Sequence, residues 1–299
     1  MVRKAIQNAS GKDDPRVKPS TDWRMLIAKA SVVAVGVIVI FSILYIGGII
    51  SLPDHSSSLP SSPPVQFTPP TYDSWGNFLK VSQNNYAQNN NNEDIYFLSW
   101  MGCPIGAADS WVLYGSLGSH LNGIESTTYA HHSDPNEESL SNIPGIIFES
   151  GFHFVSSNVT VTFDPVYVYN ETMYGQEGSN YGNPNGTGVP ISPSDMVSYG
   201  FSIAKASLPP PIYEIIKEYE AVYPVNNIGS GNLPIVNSSN SPHVTTIMVI
   251  TDRYGTFIFN GPFYGPTEIK QYSVQYLYSS YGSVPEILAG ISQLNSYIL

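Results

Sequence analysis

Cys103 is the single cysteine of the chain, and it stands in the run Ile95 to Tyr114, IYFLSWMGCPIGAADSWVLY, at the join between an apolar aromatic stretch and a helical pattern. A sulfur at a helix start meets unpaired amides and the positive end of the helix dipole, which favour a thiolate over a thiol. Such a thiolate can form a mixed disulfide or react with peroxide. The second cysteine that a dithiol cycle requires is missing, and one cysteine allows no internal disulfide. A buried, inert cysteine is the competing reading of the same residue.

Other residue types that carry chemistry are present in weaker patterns. His131 and His132 with Asp134, Glu137 and Glu138 could supply metal ligands, but no cysteine or spaced histidine accompanies them, so a solvated loop is the expectation and no metal is assigned. No Gly-x-Ser-x-Gly elbow, phosphate loop or dinucleotide fingerprint occurs, so no cofactor is expected. Four acceptor sequons, Asn158-Val-Thr, Asn170-Glu-Thr, Asn185-Gly-Thr and Asn237-Ser-Ser, are candidate glycosylation sites. Asn170, Asn185 and Asn237 read as loop residues and better acceptors than Asn158, which reads as lying within a strand. The tyrosine-rich stretch 167–181 suits a glycan or a partner, or simply covers its own core.

The elements that must position Cys103 follow from periodicity. Ile95, Phe97 and Ser99 alternate with Tyr96, Leu98 and Trp100, and apolar residues then recur at Ala107, Trp111, Tyr114, Leu117 and Leu121. The period lengthens from two to about 3.6, which predicts strand, turn and helix, with Pro104 in the first helical turn. Trp75, Phe78 and Leu79 suggest a short amphipathic helix. Gly145 to Tyr169 alternates as half-buried antiparallel sheet. Helical spacing returns at Ile212, Ile215, Ile216, Tyr219 and Val222. Residues 245–261 read as a hairpin about Asp252 to Gly255. A helix is expected from Pro266-Thr267 to about Tyr278, and a last one opened by a Ser283 and Glu286 capping box.

Only 12% of the residues are charged, about half the usual share. Residues 1–30 hold seven Lys/Arg and three Asp/Glu, leaving five basic and 20 acidic residues beyond them, a balance that disfavours nucleic acid as a partner. Residues 1–29 read as a basic cytoplasmic tail, and the 23 apolar residues of 30–52 as a single membrane-spanning helix, N-terminus inside. Residues 53–92 read as stalk and linker; 53–70 contain six prolines and five serines. The folded domain is then 93–299, extracytoplasmic, with an insertion at about 123–240.

A strand leading to Cys-Pro at a helix start, with a hairpin and helix near the C-terminus, is the order of the thioredoxin fold. More narrowly the chain resembles a membrane-anchored family of unknown function, domain of unknown function 929, in archaea and some actinobacteria. Three stretches carry this: Gly102-Cys103-Pro104-Ile105-Gly106-Ala107-Ala108 with Trp111, Ile146 to Glu149, and Phe257 to Pro266. The resemblance implies an α/β, thioredoxin-like domain on a single membrane span, with Cys103 as the catalytic position. Members often show Cys-Pro-Tyr-Cys-Ala-Ala, so Gly106 stands here for the second cysteine. No proline immediately precedes the strand near Thr245, where thioredoxin-like enzymes place one opposite the sulfur; Pro242 and Pro234 are the nearest. The expectation is a redox-inactive binding or structural module of the cell envelope, with an envelope protein or glycan as partner. A one-cysteine thiol-disulfide oxidoreductase or isomerase is the alternative.

Overall fold

The computed structural model describes residues 65, 67–68, 75–87, 92–121, 124–137, 139–176, 189–223, 233–237, 239 and 241–298. The expected tail, membrane span and most of the stalk, together with Asn185 and Glu138, lie outside the described residues. Among the described residues no helix is long and apolar enough to cross a membrane.

The architecture is α/β, built on β2 (Asn92–Ser99), whose last seven residues are all buried. Six strands form the main sheet in the order β1-β8-β7-β2-β6-β5: β1 (Phe78–Ser82), β5 (Phe152–Ser156), β6 (Val159–Tyr167), β7 (Ile247–Asp252) and β8 (Gly255–Asn260) around β2. β6 runs parallel to β2, with Ile95 opposite Phe163, whereas β7 is antiparallel, with Ile95 opposite Ile250. Successive strand side chains point to opposite faces, so β2 feeds two cores at once. Ile95 and Phe97 join one apolar cluster, and Tyr96 and Leu98 join the other.

The first cluster lies under α1 (Pro104–Gly118), the helix that follows β2 directly. Trp111, Val112, Leu113 and Leu117 are wholly buried there, with Ile287 and Leu294 of the last helix. A separate two-stranded sheet, β3 (Thr128–His132) with β4 (Pro144–Phe148), closes over α1. Trp111 donates its indole N–H to the Pro144 carbonyl at 2.9 Å, and the Ile146 N–H bonds to Ser110 Oγ at 3.0 Å. The second cluster lies on the other face, under α2 (Met196–Ser207) and α3 (Pro210–Val222). The chain ends with α4 (Val274–Ser280) and α5 (Pro285–Asn295).

Four expectations change. Phe78 and Leu79 belong to β1, an edge strand paired with β8, because pairing to Phe259 and Ile258 gives the segment a partner that its own periodicity does not reveal. The helix expected from Pro266 to Tyr278 is a single 3-10 turn at Pro266–Ile269 and then α4, whose N-cap is Ser273 accepting from the Tyr276 N–H. Ser283 does not cap α5: Val284 holds the N-cap position without a side-chain bond, and Pro285 opens the helix. The stretch 123–240 is not one insertion, because β5 and β6 within it belong to the main sheet. Two excursions flank β6 instead, β3–β4 before it and α2–α3 after it.

Candidate functional site

Cys103 occupies the turn between β2 and α1 and is the N-cap residue of α1 in an extended conformation, with Pro104 at the first helical position. Its N–H bonds to the Trp100 carbonyl at 3.1 Å, and its own carbonyl accepts from Ala107 at 2.8 Å, so the turn is closed on both sides. The side chain is only 5% exposed. The amides of Gly106 and Ile105 and the Thr246 hydroxyl point at the sulfur and favour its ionised form, as the sequence suggests. Burial outweighs them and pushes the thiol above its ordinary value, and the buried carboxyl of Asp109 adds to this. The helix start that favours a thiolate is present, but it lies in a buried setting that favours the thiol.

Two hydroxyls in series reach the sulfur. Ser99 Oγ lies 2.8 Å from Thr246 Oγ1, and Thr246 Oγ1 donates to Cys103 Sγ at 3.0 Å. Thr246 immediately precedes β7, so antiparallel pairing of β7 with β2 brings residue 246 across from the end of β2. No peptide bond among the described residues is cis. Gly106, the position of the absent second cysteine, has no room for a side chain: a Cβ there would overlap Ser99 Oγ and lie 3.4 Å from Cys103 Cβ. Ser99 Oγ thus occupies the space that a Cβ at residue 106 would take.

Next to the sulfur, Trp100 meets the His243 ring edge-on, with centroids 6.4 Å apart. Burial lowers the pKa of His243, so this imidazole is neutral near pH 7 and offers no positive charge to a thiolate. On the outer side of the turn, the Gly102 carbonyl accepts from the Asp134 N–H at 2.9 Å, and the Glu171 backbone packs so closely on Gly102 that a Cβ could not be placed there.

The histidine pair lies on a strand rather than in a loop, with His132 exposed. His131 and His132 are the last two residues of β3, and His131 Nε2 is 3.1 Å from Glu171 Oε2, with both side chains largely buried. They line a cavity of about 490 Å3 together with Met101, Lys270 and Tyr272. Asp134 turns away and accepts from the Asn136 N–H and side-chain amide at 2.8 and 2.9 Å. Among the described residues no three His, Cys, Asp or Glu side chains are grouped to hold a metal.

Two of the sequons, at Asn158 and Asn170, are placed differently from their sequence reading. Asn158 is not within a strand: Ser157 and Asn158, at φ 51° and 66°, form the two-residue turn between β5 and β6, and Asn158 is exposed. Asn170 is not an open loop residue. It is 4% exposed, and its Oδ1 accepts from the Gly175 N–H at 3.1 Å and the Thr172 hydroxyl at 3.3 Å. Asn237 ends a 3-10 turn and is exposed.

Ser99 and Thr246 are the residues that sequence reasoning missed. Position 246 carries a signal only if the strand at 247 is first recognised as the antiparallel neighbour of β2. Glu220 is a third, a fully buried carboxyl on α3 that accepts from the Thr245 hydroxyl at 2.6 Å and its N–H at 3.2 Å.

No curated protein and no solved structure matches the chain. The family described as Domain of unknown function (DUF929) matches residues 77–299, which takes in the Cys-Pro turn and both strands that enclose it, and the chain belongs to that family.

Proposed function

We propose that the chain is a membrane-anchored, extracytoplasmic binding or structural module of the cell envelope, built on a thioredoxin-like sheet in which Cys103 is retained as scaffold and does no redox chemistry. The observation that carries this reading is the filled space beside the sulfur: Ser99 Oγ occupies the room a residue-106 side chain would take, and Thr246 donates to a sulfur that is 5% exposed. A resolving thiol at 106 would have to displace the Ser99 hydroxyl, and an outside thiol or disulfide has little access. The thioredoxin-like part of the reading is supported by the order β8-β7-β2-β6, with β6 parallel and β7 antiparallel to the strand that leads into Cys-Pro. The anchor is supported by the 23 apolar residues of 30–52 behind a basic tail. The acidic balance beyond residue 30 favours an envelope protein or glycan over nucleic acid as partner.

The test is thiol reactivity in the native full chain. Cys103 should react slowly with an aromatic disulfide reagent, and much faster once the protein is unfolded in guanidinium. Rapid native reaction, with mixed-disulfide partners that are trapped in cells and lost in Cys103→Ser, would instead establish the one-cysteine oxidoreductase.

A further inference from the structure

The end of β2 remote from Cys103 opens into a cleft of about 640 Å3 between the β5–β6 turn, the β7–β8 turn and the residues after α5. That volume is in the range of small-ligand sites. The cleft combines two kinds of group. Glu93 and Asp252 are 2% and 6% exposed. Asp94 pairs with Thr251 across β2 and β7, so the next pair outward sets Glu93 opposite Asp252 with both side chains on one face of the sheet. Burial pushes the Asp252 carboxyl up, while the Tyr254 and Gly255 amides and Arg253 hold it down.

The second kind of group is aromatic. Tyr254, at the tip of the β7–β8 turn, is 60% exposed, yet it is held in place. The Arg253 guanidinium lies 4.8 Å from its ring centroid and donates to its hydroxyl at 2.9 Å, and its backbone N–H bonds to Asp252 Oδ1 at 2.8 Å. Tyr297 walls the opposite side, packed edge-on against Phe257 with centroids 5.4 Å apart. Asn158 adds an uncharged amide at the rim.

We propose that this cleft is a carbohydrate-binding site, in which the exposed face of Tyr254 takes the C–H face of a sugar ring and Glu93 and Asp252 hydrogen-bond its hydroxyls. The proposal rests on the binding-module reading and gives it a ligand class. A flat aromatic beside carboxylates suits a ligand that is apolar on one face and rich in hydroxyl donors at its edge, because carboxylates accept hydroxyl protons in short, charge-assisted bonds. A cation is the competing ligand class, since two carboxylates outnumber Arg253, and it forms one arm of the test. A nucleotide would set its phosphates against two carboxylates.

The experiment is saturation-transfer NMR on the full chain made in a host without N-glycosylation, so that Asn158 carries no sugar of its own. The probes are methyl α-mannoside, methyl β-glucoside, methyl β-galactoside and N-acetylglucosamine, with cadaverine as the cationic control. At least one sugar should receive saturation. Tyr254→Ala should weaken its binding about tenfold or more without changing the thermal midpoint, since the side chain is a surface one, and Asp252→Asn should weaken it while keeping the oxygen that holds the turn. Absence of transfer to every sugar, binding that both variants leave unchanged, or cadaverine binding that no sugar competes with would each overturn the proposal. Native reactivity of Cys103 does not enter this assay, so a reactive thiol would remove the redox-inactive reading and leave the sugar site standing.

Discussion

Glu220 shows what one side chain can impose on the protein's response to pH. It is fully buried, and its carboxyl accepts from Thr245, the residue next to the one that caps the sulfur, while Asn260 Nδ2 lies 3.4 Å away. Burial raises its pKa from 4.5 to about 7, against the pull of the Thr245 hydroxyl and amide. An acid whose folded pKa lies above its unfolded one binds its proton more tightly in the folded state, so unfolding releases a proton and stability falls as pH rises. The contribution is fully present below pH 4.5 and is lost by about pH 7, above which it no longer changes. At 1.36 kcal/mol per unit, the loss is of the order of 3 kcal/mol. Glu220→Gln keeps one acceptor for Thr245 and removes the ionisable group. Chemical denaturation of both proteins from pH 4 to pH 8 should show this component of the slope in the wild type and not in the variant; equal slopes would show that Glu220 is not its source. At Cys103 the expected result is quieter. Cys103→Ser should keep the fold and lower stability by no more than about 1 kcal/mol, since a hydroxyl can take the Thr246 bond in place of the sulfur.

Between β2, α1 and β7 the interactions belong to the elements jointly, and a substitution in one is felt in the others. Gly106→Cys, which would restore the second sulfur, should destabilise the protein by about 1–3 kcal/mol, because its Cβ meets Ser99 Oγ in a packed core. Removing that hydroxyl should relieve the clash, so Ser99→Ala combined with Gly106→Cys should be more stable than the sum of the two single variants predicts. Strict additivity in thermal or denaturant unfolding would mean that Ser99 is not what excludes a side chain at 106. The elements themselves were legible where local pattern decides: the change from alternation at Ile95–Ser99 to helical spacing from Ala107 appears as β2 and α1, and the hairpin at Asp252–Gly255 appears as β7 and β8. The rest depends on long-range pairing. Nothing near Thr246 announces that it will face a sulfur 143 positions away. The edge strand β1 reads as a helix because two apolar residues three and four positions after Trp75 satisfy a helical face as well as they satisfy a strand. The two-residue turn at Ser157-Asn158 is hidden by the Val and Thr residues that follow it, which extend the alternation without marking its start.

At the scale of the whole molecule, burial decides which sequons could be used on the proposed topology. On the proposed topology, protease added to intact cells should remove the folded domain and spare the basic tail; the reverse pattern would reverse the orientation. All the acceptor asparagines would then lie on the same side of the membrane, yet they are not equivalent. Asn158 stands in a tight turn and Asn237 at the end of a 3-10 turn, both exposed, so a glycan on either would extend into solvent without moving the backbone. Asn170 is 4% exposed, and its side-chain oxygen holds the Gly175 amide, while a Cβ on Gly175 would have no room beside the Asn170 amide. A sugar on Asn170 would be attached to Nδ2, which packs against Gly175, and would have to enter a filled core, so a chain carrying it could not reach this fold. Peptide mass spectrometry of protein isolated in its native folded state should therefore find glycan at Asn158 and Asn237 and bare asparagine at Asn170. Glycan at Asn170 in a protein that still unfolds cooperatively would show that the 167–176 segment opens in the native state. Bare asparagine at Asn158 and Asn237 as well would remove glycosylation from the account of this surface.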